Sequence, residues 1–133
     1  MLTKRLLITF FLLGIMSTAA MAVSAKEWMK IDSTLIDRKM DHGTIFNPSP
    51  WDHTWRMFKL TMQKGPVRLL RVVVTYGDNS GVELTDNELV AVNGTSKELN
   101  LPSPRYVKRV DFWFEPASLG SKDARITLWA YPQ

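Results

Sequence analysis

From Trp55 onward the chain alternates apolar and polar residues. Phe58, Leu60 and Met62 share one face of an extended segment, and Lys59, Thr61 and Gln63 share the other. A two-residue period marks a half-buried strand, not a helix. After the turn Lys64-Gly65-Pro66, the stretch Val67–Tyr76 puts Leu70, Val72, Val74 and Tyr76 on one side and Leu69, Arg71, Val73 and Thr75 on the other. Both sides are largely apolar, which suits a central strand. Gly77-Asp78-Asn79-Ser80-Gly81 then reads as a tight turn, because these residues tolerate left-handed backbone angles and hydrogen-bond their own main chain.

A strand over 106–115 turns Val110, Phe112 and Phe114 inward and Arg109, Asp111, Trp113 and Glu115 outward. Another over 124–131 turns Ala124, Ile126, Leu128 and Ala130 inward, with Arg125, Thr127, Trp129 and Tyr131 on the opposite face. Short strands are predicted over 82–84, 89–92 and 97–101, with Asn93-Gly94 as a turn between the last two, and an N-terminal strand over 28–36. The pattern predicts an all-β fold, an antiparallel β-sandwich or flattened barrel of about seven or eight short strands.

The N-terminus has a different pattern. Lys4-Arg5 precedes an apolar run from Leu6 to Met16, broken only by Thr9 and Gly14, and the run leads to Ala20-Met21-Ala22. This is the basic, apolar, small-residue order of a cleavable secretory signal, and the run falls short of the ~20 residues that span a bilayer. Cleavage is expected after Ala22, with Ala25 as a second candidate. The expected organisation is a signal peptide over 1–22 and a single β-sandwich domain over 23–133, periplasmic or extracellular, with no transmembrane anchor after cleavage. The chain has no cysteine, so neither disulfides nor a lipid on an N-terminal cysteine can hold it.

The whole chain carries +4, and Lys4 and Arg5 belong to the leader, which leaves the mature protein near +2. That balance, with basic residues scattered among acids, does not make a nucleic-acid-binding face. Weak attraction to anionic glycans or headgroups stays open.

Three blocks, Leu70-Arg71-Val72-Val73-Val74-Thr75-Tyr76-Gly77, Lys108-Arg109-Val110-Asp111-Phe112-Trp113-Phe114 and Ala124-Arg125-Ile126-Thr127-Leu128-Trp129, follow one another at a familiar spacing. Together they resemble a family of small exported bacterial proteins of unknown function, whose members also tend to carry an aspartate-led segment like 41–45. The chain departs from that pattern at Phe114, where tyrosine is usual, at Ala130, where glycine usually follows the tryptophan, and in a longer turn after Gly77. The resemblance implies an envelope or secreted location and supplies no activity, cofactor or catalytic residue.

Three constellations are candidates for function. If residues 116–123 join the last two strands as a hairpin, Glu115 meets Arg125, Trp113 meets Thr127, Asp111 meets Trp129 and Arg109 meets Tyr131. The ligand-binding candidates Arg109, Asp111, Trp113, Trp129 and Tyr131 then form an aromatic platform for a glycan or a protein partner. The alternative is that a second layer covers this face and makes both tryptophans core. Arg71 and Asp111, each mid-strand and facing away from the main apolar row, are a candidate structural pair.

The segment 41–53 is expected to be a loop. It holds the only two histidines, each directly after an aspartate, and His42, Asp52 and His53 are the one weak candidate for a metal or carboxylate site. Its proline-flanked Trp51, with Trp55, could instead cap the sandwich edge or gate a ligand cleft. No Gly-rich phosphate loop, Gly-x-Ser-x-Gly elbow, His-Glu-x-x-His or cysteine nucleophile is present, so no cofactor is implied. The expected function is a non-enzymatic binding module. The alternatives are an envelope enzyme centred on the 41–53 segment and a structural component of an envelope or secretion assembly.

Overall fold

A computed structural model describes residues 26–84, 87–120 and 122–133. The predicted signal peptide lies outside the described residues. Nine strands are present among those described: β1 (Met29–Asp37), β2 (His42–Phe46), β3 (Trp55–Gln63), β4 (Val67–Tyr76), β5 (Gly81–Glu83), β6 (Glu88–Val90), β7 (Leu99–Arg105), β8 (Val107–Glu115) and β9 (Asp123–Pro132). They form two antiparallel sheets, β1-β9-β3-β7 and β2-β8-β4-β5, with β6 also on β4. The fold is thus an open sandwich and not a closed barrel.

The alternation along each strand explains the layers. Phe58, Leu60 and Met62 of β3 and Ile126, Leu128 and Ala130 of β9 point from one sheet toward Val72 and Val74 of β4 and Val110, Phe112 and Phe114 of β8 in the other. All are at most 2 % exposed. At about 1.5–3 kcal/mol per fully buried large side chain, this interior is the main favourable term in a fold without cross-links.

Two expectations are corrected. The 41–53 segment is not all loop, since His42–Phe46 forms β2 and pairs with β8. Its interior Gly43 hid it, because a strand rarely places glycine mid-run. Here the ring of Phe112 fills the space that a β-carbon at Gly43 would need.

The hairpin between the last two predicted strands does not exist either. β8 lies between β2 and β4, whereas β9 lies between β1 and β3 in the other sheet. Glu115 therefore aligns with Arg68, Trp113 with His42 and Arg71, and Asp111 with Thr44 and Val73. On β9, Trp129 aligns with Lys30 and Lys59, and Tyr131 with Met57. The connection explains this. Pro116–Ser118 makes a single 3₁₀ turn, and Leu119 is buried at 2 % exposure. The apolar rows of β8 and β9 then bury each other face to face across the core, where they could not meet as neighbours in one sheet.

Candidate functional site

Chain chemistry concentrates at the end of the sandwich where β4 and β9 finish and β8 begins. Prolines at 48 and 50 prevent the chain after β2 from continuing a ladder. Asn47 pins the departing segment: its N–H donates to the Lys108 carbonyl at 2.9 Å, its side-chain amide donates to the Val107 carbonyl at 3.0 Å, and its Oδ1 accepts the Ser49 N–H at 3.0 Å. So held, the segment lays Trp51 over Gly77. A β-carbon at Gly77 would stand 2.5 Å from Trp51 Cζ3 and 2.9 Å from Cη2. Tyr106 meets the indole edge-on, with ring centroids 5.5 Å apart.

The turn after β4 supplies the polar part. Asn79 adopts φ 74°, a left-handed angle that asparagine tolerates better than most residues. The turn closes through the Tyr76 N–H to the Ser80 carbonyl at 2.7 Å and is tied to β8 by the Gly77 N–H to the Tyr106 carbonyl at 2.9 Å. Asp78 Oδ1 accepts the Ser80 hydroxyl and N–H, and its Oδ2 accepts Arg105 Nη2 at 3.0 Å. The Arg105 guanidinium also lies 4.1 Å from the centroid of the Tyr76 ring. The Ser80 donors, with the charge of Arg105 behind them, hold the Asp78 carboxyl below its ordinary range. Burial pushes the Tyr76 phenol up, against Arg105.

Trp51, Gly77, Asp78, Arg105 and Tyr106 line one open cleft of about 270 Å³. Trp51 and Tyr106 are 58 % and 43 % exposed. Chemically this is an apolar ring face beside a fixed donor–acceptor pair, the usual makeup of a small-molecule site. It carries no nucleophile with a base beside it.

A second cleft of about 170 Å³ lies on the other side of the 47–54 segment, lined among others by Lys30, Asn47, Asp52, His53 and Trp55. The His53 ring stacks on Trp55 at 5.1 Å, and the buried Trp55 indole N–H has no protein acceptor. His42 is engaged elsewhere. Its Nε2 pairs with Asp111 Oδ1 at 2.9 Å, and its ring packs on Trp113 at 4.6 Å. Among the described residues no group of three His, Cys, Asp or Glu could hold a metal ion, so His42, Asp52 and His53 do not form the ligand set considered from sequence.

The remaining predicted residues divide between the two outer faces. On the β2-β8-β4 face, Asp111 accepts Thr44 Oγ1 at 2.6 Å and Arg109 Nε at 3.1 Å in addition to His42. Partial burial raises its carboxyl, but these three donors together outweigh burial and leave it below the ordinary range. Arg71 does not pair with Asp111. It binds Glu83 at 2.9 Å, and its guanidinium lies 4.5 Å from the Trp113 ring centroid. His42 and Arg71 reach Trp113 from opposite neighbouring strands, so this ring is no open platform.

Trp129 and Tyr131 sit on the outer face of the other sheet. Trp129 donates its indole N–H to Thr61 Oγ1 at 3.0 Å, and Tyr131 packs edge-on against Trp28 at 5.4 Å. Trp113 and Trp129 are both half-buried, and neither is core.

In the sequence Trp51, with Trp55, is a candidate either to cap the sandwich edge or to gate a cleft, and 77–81 is legible as a turn, whereas no pattern marks Arg105 or Tyr106. Those two follow Pro102-Ser103-Pro104, and their proximity to Gly77 depends on the pairing of β4 with β8. Comparison with curated proteins and with solved structures finds no match. Residues 6–130 match the family described as a domain of unknown function (DUF2541), a span that takes in nearly every strand described above, and the chain belongs to that family.

Proposed function

We propose that this is an exported bacterial binding module, not an enzyme, which takes a saccharide ring in the cleft of Trp51, Gly77, Asp78, Arg105 and Tyr106. The observation that carries the reading is the exposed indole of Trp51 seated on Gly77, directly beside the Arg105–Asp78 pair. The C–H face of a pyranose packs on an indole, and its ring hydroxyls need both a donor and an acceptor at the rim. Arg105 and Asp78 offer one of each in fixed positions. The basic, apolar, small-residue leader supports export.

The test uses the mature chain against insoluble peptidoglycan and a panel of purified neutral and amino-sugar oligosaccharides, followed by titration calorimetry. Trp51→Ala and Arg105→Ala should each weaken binding at least tenfold. Binding that survives Trp51→Ala unchanged refutes the reading. Export is checked separately by N-terminal sequencing of the protein recovered from the periplasm or medium, where a start at Val23 or Lys26 is expected.

A further inference from the structure

The two outer faces of the sandwich handle charge differently. On the β2-β8-β4 face each arginine has its own carboxylate within 4.0 Å: Arg68 with Glu115, Arg71 with Glu83 and Arg109 with Asp111. The opposite face, at the end where β9 finishes, presents Lys30, Arg56 and Lys59. None of the three has a carboxylate partner among the described residues. They lie instead among aromatic rings. Lys59 Nζ is 4.3 Å from the Trp28 centroid, Arg56 is 5.8 Å from that of Tyr131, and Lys30 and Lys59 flank Trp129 on the two neighbouring strands. The nearest exposed acid on β1 is Asp32, whose Oδ1 accepts the Ser33 N–H at 2.8 Å.

We infer that this face, independently of the Trp51 cleft, docks an acidic polysaccharide. Three cations with no carboxylate among the described residues within 4.0 Å, gathered in one aromatic patch, form a complementary surface for a string of carboxylates, and the half-buried Lys59 against Trp28 is the partly desolvated member.

Other polyanions fit less well. A membrane surface calls for protruding apolar side chains beside the cations, whereas Trp28, Trp129 and Tyr131, the rings beside them, are half-buried. A duplex nucleic acid is held by about 6–10 phosphate contacts, against three cations here. A single strand needs free ring faces to stack on, but Lys59 already covers Trp28.

The experiment immobilises polygalacturonate and measures binding of the mature protein at low and at physiological salt. Neutral dextran, vesicles containing phosphatidylglycerol and single-stranded DNA serve as comparisons. Expected is salt-sensitive binding to polygalacturonate above all three. The variant Lys30→Gln/Arg56→Gln/Lys59→Gln should bind roughly thirtyfold more weakly, about threefold per charge, as for partly exposed charges. Arg68→Gln/Arg71→Gln on the opposite face and Trp51→Ala in the cleft should leave this binding unchanged, while Trp51→Ala weakens saccharide binding in the cleft at least tenfold. Urea midpoints confirm that each variant is folded. The inference is overturned if polygalacturonate is not bound, if vesicles or DNA bind as well or better, or if the opposite-face variant loses as much as the triple variant.

Discussion

Replacing Gly77 by alanine puts a methyl group where Trp51 now lies, 2.5 Å from Cζ3 and 2.9 Å from Cη2. The contacted atoms are the far end of a side chain that is 58 % exposed, so the indole can swing into solvent and leave the backbone in place. Somewhat under half of the ring's ~250 Å² is covered, about 100 Å², which at ~25 cal/mol/Å² is an upper bound of about 2.5 kcal/mol. Alanine returns about 0.4–1 kcal/mol by restricting the unfolded chain. The net expected cost of Gly77→Ala is therefore about 1–2 kcal/mol, or roughly 4–8 °C in Tm for a domain of about 110 residues.

The decisive assay is a double-mutant cycle in urea, followed by far-UV circular dichroism. If the clash with the indole is the whole effect, Gly77→Ala changes sign in a Trp51→Ala background and becomes neutral or slightly stabilising. An equal cost in both backgrounds refutes the reasoning and places the strain on Tyr106 Cβ, 3.2 Å away. Gly43→Ala makes a similar collision against a ring that cannot leave. Phe112 is 0 % exposed, and overpacking of this kind costs about 1–3 kcal/mol with no relief available at the surface.

Asp111→Asn should destabilise by about 1–2 kcal/mol at neutral pH, because Thr44, His42 and Arg109 lose a charged acceptor. The folded carboxyl titrates below its unfolded value, so this stabilisation is present in full above about pH 4–5 and disappears as pH falls through the folded value. Urea midpoints of wild type and variant should therefore stay apart from pH 5 to 8 and converge only in stronger acid. Asp78 is likewise held below the ordinary range, so calorimetric saccharide affinity should be flat across pH 5–8, and Asp78→Asn should reduce it several-fold. In the core, Leu60→Ala, at 0 % exposure, should cost about 2–5 kcal/mol, whereas Leu35→Ala, at 52 % exposure, should stay within about 0.5 kcal/mol by thermal melt.

What the sequence determined by itself is the inside and the outside of most positions on the long strands; it missed the bulge in β4, where the register shifts between Leu69 and Arg71, so that Leu69 is buried and Leu70, expected beside Val72, is 41 % exposed. Alternation is a local property, decided by the geometry of the extended chain, and it placed Trp55–Gln63 and Val67–Tyr76 with the bounds they have in the structure. It failed for His42–Phe46, where Gly43 looks like a break until the Phe112 ring is seen to occupy its missing side chain. Which strands become neighbours was decided only by the tertiary structure. Any apolar row can bury against any other, and nothing local in β8 or β9 says that they face each other across the core instead of pairing edge to edge.

That one non-local choice dissolved the expected platform, sending Asp111 and Trp113 to one outer face and Trp129 and Tyr131 to the other. It assembled the cleft by the same means. Trp51 comes from the loop after β2, Gly77 with Asp78 from the turn after β4, and Arg105 with Tyr106 from the junction where β7 ends and β8 begins. They meet because β4 pairs with β8 and Asn47 ties the proline-flanked segment to the start of β8, contacts whose residues are some tens of positions apart and leave no periodic trace in the chain.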